Sequence, residues 1–284
     1  SLGIGKPVWL EARPAVAVED VAVNTSVRAR KLRLEYTLVN KTAAAQDVGV
    51  SPRVLDADKV VKTFPPRKVT IPAGGQVTVA FEQPWVQPRL WEPGDPHLYV
   101  LETDLQPTAG TADRHRQRFG FREMWIDGYH FAVNGRHMNI RSKWVSACSS
   151  VPQDEDIERR LETLWERHMH DIHNLDNQLT RTHNQIGVEE VCDVADESGL
   201  MLKVENGDVC QQNFVFGTNW WNNVLATEVA MVRAYRHHAA VFMWSAGNEN
   251  WLWNWVYQGE AARTLGHRLT VAVARAMDQA DYMH

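Results

Sequence analysis

Along the first 118 residues the apolar positions recur at every second place. In "KLRLEYTLVN", Leu32, Leu34, Tyr36 and Leu38 alternate with Lys31, Arg33, Glu35 and Thr37. That is the period of a strand with one face buried and one in water. "QVTVAFEQ" repeats it through Val77, Val79 and Phe81, and "HLYVLETDL" over 97–105 predicts another strand. Turn signals separate the runs: Asn40-Lys41, Pro65-Pro66, the Pro72–Gly75 stretch and Pro93-Gly94. Short alternating strands with frequent turns predict an antiparallel, immunoglobulin-like β-sandwich over residues 1–120.

Past about residue 123 the period lengthens. "MNIRS" at 138–142 predicts a short strand. Ile157, Leu161, Leu164, Trp165 and His168 then form a helical stripe, with Pro152 ahead of it as a start signal. A second strand falls within 169–181. Val188, Val191, Cys192 and Ala195 mark a helix that Gly199 ends, and 200–205 is a third strand. Leu225, Val229 and Val232 mark another helix stopping near His237-His238, and 240–247 is a fourth strand. A last helix is expected over 258–277, with Leu265, Leu269 and Ala276 inward.

Strands that are apolar on both faces and alternate with helices predict a covered parallel sheet. Residues 121–284 hold about four βα units, half of what a (β/α)8 TIM barrel contains. The fold class expected is therefore multidomain, a sandwich followed by a partial barrel. A doubly wound nucleotide-binding sheet is the other arrangement with this element order. It lacks its glycine-rich loop here, since "RSKWVSACSS" after the first strand contains no glycine.

Composition narrows the function classes. The net charge is −5 with no basic block, so nucleic acid is not an expected partner. No run of about 18 apolar residues occurs, so no membrane partner is expected. The opening residues, SLGIGKPVWLEARP, do not resemble a signal peptide and read as the tail of an earlier domain; the compartment is not legible. Cys148, Cys192 and Cys210 form no CxxC pair and read as buried small residues. No metal ligand cluster and no cofactor motif stands out. Of twelve tryptophans, six lie between Trp220 and Trp255, either as bulky core or as stacking surfaces for sugar rings.

A barrel gathers its chemistry at the carboxyl ends of its strands. The polar residues falling there are Arg141 and Lys143, then Arg181, His183 and Asn184, then Glu205 and Asn206, and finally Asn248 and Glu249. Any one of them is equally compatible with a solvated strand end. His173 reads as a satisfied core histidine, and His237-His238 as a helix end favoured by the dipole when protonated. "MWSAGNENW" is the stronger signal: an apolar strand meets Gly247, then Asn248, Glu249 and Trp251. A carboxyl in apolar surroundings holds its proton to higher pH and can donate it to a leaving oxygen. The neighbouring amide can bond a sugar hydroxyl, and Trp251, Trp253 and Trp255 can wall a subsite.

Four stretches carry a family resemblance. "PWVQPRLWEPGDPHLYVLETDL" at 84–105 resembles the end of the sandwich in glycoside hydrolase family 2, which includes β-galactosidases, β-glucuronidases and β-mannosidases. "QRFGFREMWIDGYHFAVNGRHMNIRS" at 117–142 resembles its join of sandwich and barrel. "TRTHNQIGVEEVCDVADESGLML" at 180–202 resembles a segment inside the barrel, and "MVRAYRHHAAVFMWSAGNEN" at 231–250 resembles the acid/base signature. The resemblance implies a retaining hydrolase of terminal β-linked sugars, with Glu249 as acid/base and Asn248 as the amide beside it. Arg141, His183, Asn184 and Trp251 are the further expected substrate-binding residues.

The family's nucleophilic glutamate stands on a seventh strand, which these residues do not reach. Ser142 replaces a family glycine, "RHHAAV" replaces "NHPSV", and the family's second-strand arginine corresponds either to His173 or, in another register, to Arg181. A half barrel exposes strand edges. The chain is therefore expected to associate with another copy or with the missing half, and carbohydrate is the expected substrate. The other functional class that fits is a non-catalytic carbohydrate-binding or structural module keeping the tryptophan wall.

Overall fold

The computed structural model describes residues 10–145, 178–182, 189–205, 218–248 and 260–281. They group into two compact units, one of residues 1–89 and 98–121, the other of residues 90–97 and 122–284.

The first unit is built from two antiparallel sheets. One has the order β1 (Val16–Ser26), β2 (Lys31–Asn40), β6 (Gln76–Pro84). The other runs β4 (Lys59–Thr63), β3 (Gln46–Asp56), β7 (Leu98–Pro107), β8 (Asp113–Gly120), with β5 (Arg67–Ile71) also paired to β3. Strand β2 follows the predicted alternation: Leu32, Leu34, Tyr36 and Leu38 are fully buried, and the residues between them are half-buried. Burying an aliphatic side chain of this size contributes about 1.5–3 kcal/mol. In register, Leu34 faces Phe81 and Tyr36 faces Val79.

Across the core the Tyr36 hydroxyl and Thr103 Oγ1 share a hydrogen bond of 2.7 Å, so a strand of each sheet is tied through a buried polar contact. Burial holds the Tyr36 phenol protonated well above its ordinary range. The Asn40-Lys41 signal also has its physical reason. Asn40 is buried, its amide donates to the Ala44 carbonyl at 2.8 Å, and its Oδ1 accepts from Thr42 N at 2.9 Å.

Two tight hairpins escaped the sequence reading. Asp56 pairs with Lys59 across Ala57 and Asp58, both with positive φ (45° and 66°), where no glycine marks the turn. In the second unit, β10 (His130–Val133) turns into β11 (Arg136–Met138) through Asn134 and Gly135, with φ of 51° and 87°. Asn-Gly is a strong hairpin signal, and it was there to be read. With β9 (Met124–Asp127) these strands form a three-stranded sheet. The strand expected at 138–142 is thereby corrected, because Met138 closes this antiparallel hairpin.

The first parallel strand is β12 (Ser142–Val145), followed by β13 (Leu179–Thr182), β14 (Met201–Glu205) and β15 (Val241–Ser245), lying side by side in that order. All three pairings are parallel. Helix α1 (Glu189–Ser198) buries Val191, Cys192 and Ala195 as predicted; Val188 lies outside the described residues. Gly199 ends it with φ of +74°, and a Cβ there would stand 2.7 Å from the Gly94 nitrogen, so the position requires glycine twice over.

Helix α2 (Thr218–Tyr235) is turned from its predicted face. Val224, Glu228, Met231 and Val232 are buried, whereas Leu225 and Val229 are half-buried. Helix α3 (Glu260–Ala280) buries Val273, Met277 and Ala280, and Ala276 is half-buried. The expected helix carrying the stripe from Ile157 to His168 and the side chains of Leu265 and Leu269 lie outside what is described. No described helix is long and apolar enough to cross a membrane.

Two buried polar groups anchor the entry to β15. Arg122, 2% exposed, donates to the carbonyls of Ala239, His238 and Val241. Burial draws its pKa down to about 10, with Asp281 and Asp196 opposing, so it remains a cation at neutral pH. Asp196 accepts from Ala240 N at 2.7 Å and pairs with His238 Nδ1 at 2.8 Å. Its main-chain oxygen takes the Trp91 indole N–H at 2.8 Å. The His237-His238 pair lies just past the end of α2 at Tyr235, at the expected helix end, and His238 is buried there, tied to Asp196 of α1.

Candidate active site

The register of the parallel sheet decides which side chains share a face. Arg181 lies opposite Lys203, Lys203 opposite Met243, and Glu205 opposite Ser245. Alternate residues of one strand share a face. One face therefore carries Arg181, Lys203, Glu205, Met243 and Ser245. Trp244 belongs to the other face, where its indole donates to Asp281 at 2.9 Å, just past α3.

At the carboxyl ends of β13, β14 and β15 these polar groups converge. Glu205 is fully buried. Its Oε2 accepts from Arg181 Nε at 2.7 Å and from Ser245 Oγ at 2.7 Å, and Arg181 Nη2 stands 2.6 Å from the same oxygen. Its main-chain N–H donates to Thr182 Oγ1 at 3.0 Å. A buried carboxylate is tolerated when a cation and further donors satisfy it, and this one has both.

Arg181 Nη2 reaches on to Asn248 Oδ1 at 2.6 Å. A guanidinium only donates, so the amide oxygen must be the atom facing it, and the Asn248 amide N–H2 is turned elsewhere. Gly247 makes this possible: its φ of 127° is a backbone geometry that favours glycine, and it swings the chain after β15 so that the buried Asn248 meets the arginine.

Lys203 completes the face. Burial and the charge of Arg181 lower its pKa, opposed by Glu205. Elsewhere, among the described residues, Asp193, Asp196 and His238 have ligand atoms within 4.8 Å of one another. They sit beside the start of β15, and both Asp196 oxygens are already used by the Ala240 N–H and the His238 ring.

Of the residues singled out in the sequence, Asn248, Arg181 and Glu205 are brought together. Arg181, not a lone strand-end group, is the cation of β13; His173 lies outside the described residues. Arg141 is exposed and precedes β12, where its main chain bonds Gln178, so it stands at the opposite end of the sheet from Asn248. Glu249, Trp251, Trp253, Trp255, His183, Asn184 and Asn206 lie outside the described residues. The Arg181–Glu205 pair, Ser245 and Lys203 were not foreseen as a unit. The available signal was charge at alternate positions on otherwise apolar strands, as in "KVE".

A family model, glycosyl hydrolases family 2, matches residues 16–122. A β-galactosidase of Bacteroides ovatus is 27% identical over 264 residues, which is 87% of this chain and 30% of that protein. A β-glucuronidase of Paenibacillus borealis is 22% identical over 263 residues, 87% of this chain and 40% of that protein. A crystal structure of a family 2 β-galacturonidase from Eisenbergiella tayi, bound to glycerol, superposes with a TM-score of 0.80 at 18% identity. The superposition covers 95% of this chain and 45% of the other, and at that identity it speaks for the fold. The chain thus spans less than half the length of these relatives. Residues 16–122 thus match the model of glycosyl hydrolases family 2, and over 87% of its residues the chain is similar to proteins named β-galactosidase and β-glucuronidase.

Proposed function

We propose that the chain forms the sandwich and the first half of the (β/α)8 catalytic barrel of a retaining β-glycosidase. The observation that carries this reading is the ordered cluster at the carboxyl ends of three adjacent parallel strands, Arg181 holding both Glu205 and Asn248. Barrel enzymes do their chemistry at that end. In this reading Asn248 presents its amide N–H2 to the hydroxyl beside the reacting carbon of the sugar, a contact that tightens as positive charge develops at that carbon. Glu249, the next residue, protonates the departing glycosidic oxygen and then removes a proton from the incoming water.

Retention requires a second carboxylate about 5–5.5 Å from the first, which attacks the anomeric carbon as the leaving group departs. Glu205 is engaged by Arg181 and Ser245, so it is not assigned that role. The nucleophile belongs to a later strand, supplied by further chain or an associating partner, which completes the sheet beyond β15. Trp251 is assigned to the subsite wall, and His183 and Asn184 to substrate contacts. Terminal β-linked hexosides are the substrate class, and among the relatives both galactoside- and uronide-named enzymes occur.

The test is hydrolysis of aryl β-glycosides by the polypeptide carrying the complete catalytic domain, with the first-formed anomer read by proton NMR. Retained β configuration and loss of turnover in Glu249→Gln support the reading. Inversion, or turnover indifferent to Glu249→Gln, overturns it; binding of sugars without turnover identifies a carbohydrate-binding module instead.

A further inference from the structure

The sheet of β9, β10 and β11 has two faces of opposite character. Strand β10 lies in the middle. Ile126 pairs with Phe131 and Phe131 with Met138, so one face carries an apolar row across all three strands. The other face carries Asp127, His130 and His137, all exposed. There His137 Nε2 and Asp127 Oδ2 stand 2.7 Å apart, and the two imidazoles stack with their centroids 4.7 Å apart. An antiparallel sheet with one polar face keeps that face in water and buries the other. Here the apolar face is covered at one end and open at the other. Met138 is half-buried, Phe131 is 36% exposed and Ile126 is 72% exposed.

Phe131 shows what this face belongs to. Its ring meets that of Phe242 edge-on, with centroids 5.3 Å apart. Phe242 is the second residue of β15, at the amino end of the parallel sheet, and β15 is the last strand in the order β12-β13-β14-β15. The apolar row is thus continuous with the packing at the amino end of the outermost described parallel strand.

We infer that the Ile126–Phe131–Met138 face is a docking surface for the amino ends of the parallel strands that follow β15 in the complete barrel. The β9–β11 sheet then forms the floor of that barrel, at the end opposite Arg181, Glu205 and Asn248. This rests on the barrel reading above and names the surface that receives its second half. The partner chemistry is aliphatic and aromatic side chains in the first residues of those strands. These residues span 30% of the β-galactosidase and 45% of the β-galacturonidase compared above, so each of those proteins has further chain to supply such strands. A parallel strand added to β15 is brought beside Phe242 by the sheet's own pairing, whereas a second copy of the chain has no such guide.

The test is thiol labelling of Ile126→Cys and Tyr129→Cys by a maleimide, in the polypeptide with the complete catalytic domain. The unmodified protein gives the background from its own cysteines. Tyr129, in the turn of the same hairpin and fully exposed, is the reference. Ile126→Cys should react about 100-fold or more slowly than Tyr129→Cys, because a covered thiol reacts only on local opening. That protection should not change with protein concentration. Equal rates overturn the inference, and so does protection that dilution removes, since a second copy is then the cover. Should Ile126→Cys not fold, hydroxyl-radical footprinting of the unmodified protein reads the same coverage at Phe131 against Tyr129.

Ile126→Ala gives an independent measure. It should lower the melting temperature by about 5–10 °C, as truncation of a core side chain does, whereas a residue left in water moves it by no more than about 2 °C. Activity separates this inference from the glycosidase reading. Protection at Ile126 without turnover of any β-glycoside keeps the floor and removes the glycosidase assignment. Turnover with Ile126→Cys freely labelled keeps the glycosidase and removes the floor.

Discussion

Arg181 and Asn248 are 67 positions apart and meet at 2.6 Å, the guanidinium donating to the amide oxygen. The contact fixes which end of the amide faces outward, and it does so with the same side chain that neutralises Glu205. One arginine thus sets both the charge balance of the strand ends and the donor direction of the residue preceding Glu249.

Arg181→Ala should be strongly destabilising, because Glu205 would stay fully buried without its cation. Breaking such a pair from one side costs about 3–5 kcal/mol. Arg181→Met combined with Glu205→Gln should recover part of that loss. Urea denaturation of the single and double variants measures both, and a double variant no better than Arg181→Ala would contradict the ion pair as the cause.

Asn248→Ala should lower kcat/KM for a β-glycoside by about 100-fold, the effect of losing a bond that strengthens in the transition state. The loss should shrink toward nothing on a 2-deoxy glycoside, which has no hydroxyl for the amide to meet. Equal losses on both substrates would mean that Asn248 acts only on the arrangement of its neighbours.

Asp196→Ala should cost about 2–4 kcal/mol, since it orphans the buried Ala240 N–H and the His238 ring together. Asp196→Asn should cost less, because its amide oxygen can still accept from Ala240. Tryptophan fluorescence during unfolding follows both variants, and a larger loss in the asparagine form would refute the assignment.

The sandwich should weaken in alkali. Tyr36 keeps its proton in the folded state above the ordinary value, as burial disfavours the phenolate. Above about pH 10 the unfolded chain releases that proton and the folded one does not, so stability falls as pH rises, at up to about 1.4 kcal/mol per pH unit. Tyr36→Phe should flatten the slope while losing about 1 kcal/mol at neutral pH with the Thr103 bond. Thermal melting between pH 8 and 11, an interval chosen to bracket the ordinary tyrosine pKa of about 10, tests it.

The strands of the sandwich were legible because one face of each is wet. Strand β2 alternates so regularly that its burial could be read from Leu32 to Leu38 without error. Legibility ended where polar groups turn inward. Glu228 is fully buried in α2, so the helix is rotated relative to the stripe its apolar residues suggest. The start of the parallel sheet was misplaced because "RHMNIRS" looks like one strand, whereas Arg136–Met138 answers the Asn134-Gly135 turn and β12 begins at Ser142. The cluster at the strand ends could not be assembled beforehand for a related reason. Hydropathy marks Lys203 and Glu205 as interruptions of a buried strand, and only the register shows that their neighbours are Arg181 and Ser245.

Residues 90–97 group with the second unit although β6 and β7 of the sandwich flank them in sequence. The polypeptide is therefore interleaved: no single crossover along the gene parcels it into two self-sufficient pieces. A recombinant that imports a foreign sandwich up to residue 121 inherits a mismatched seam, because Trp91, fully buried with its indole on the Asp196 carbonyl, travels with the imported part. Shuffling among relatives should succeed only when the Leu90–His97 strip is inherited together with α1.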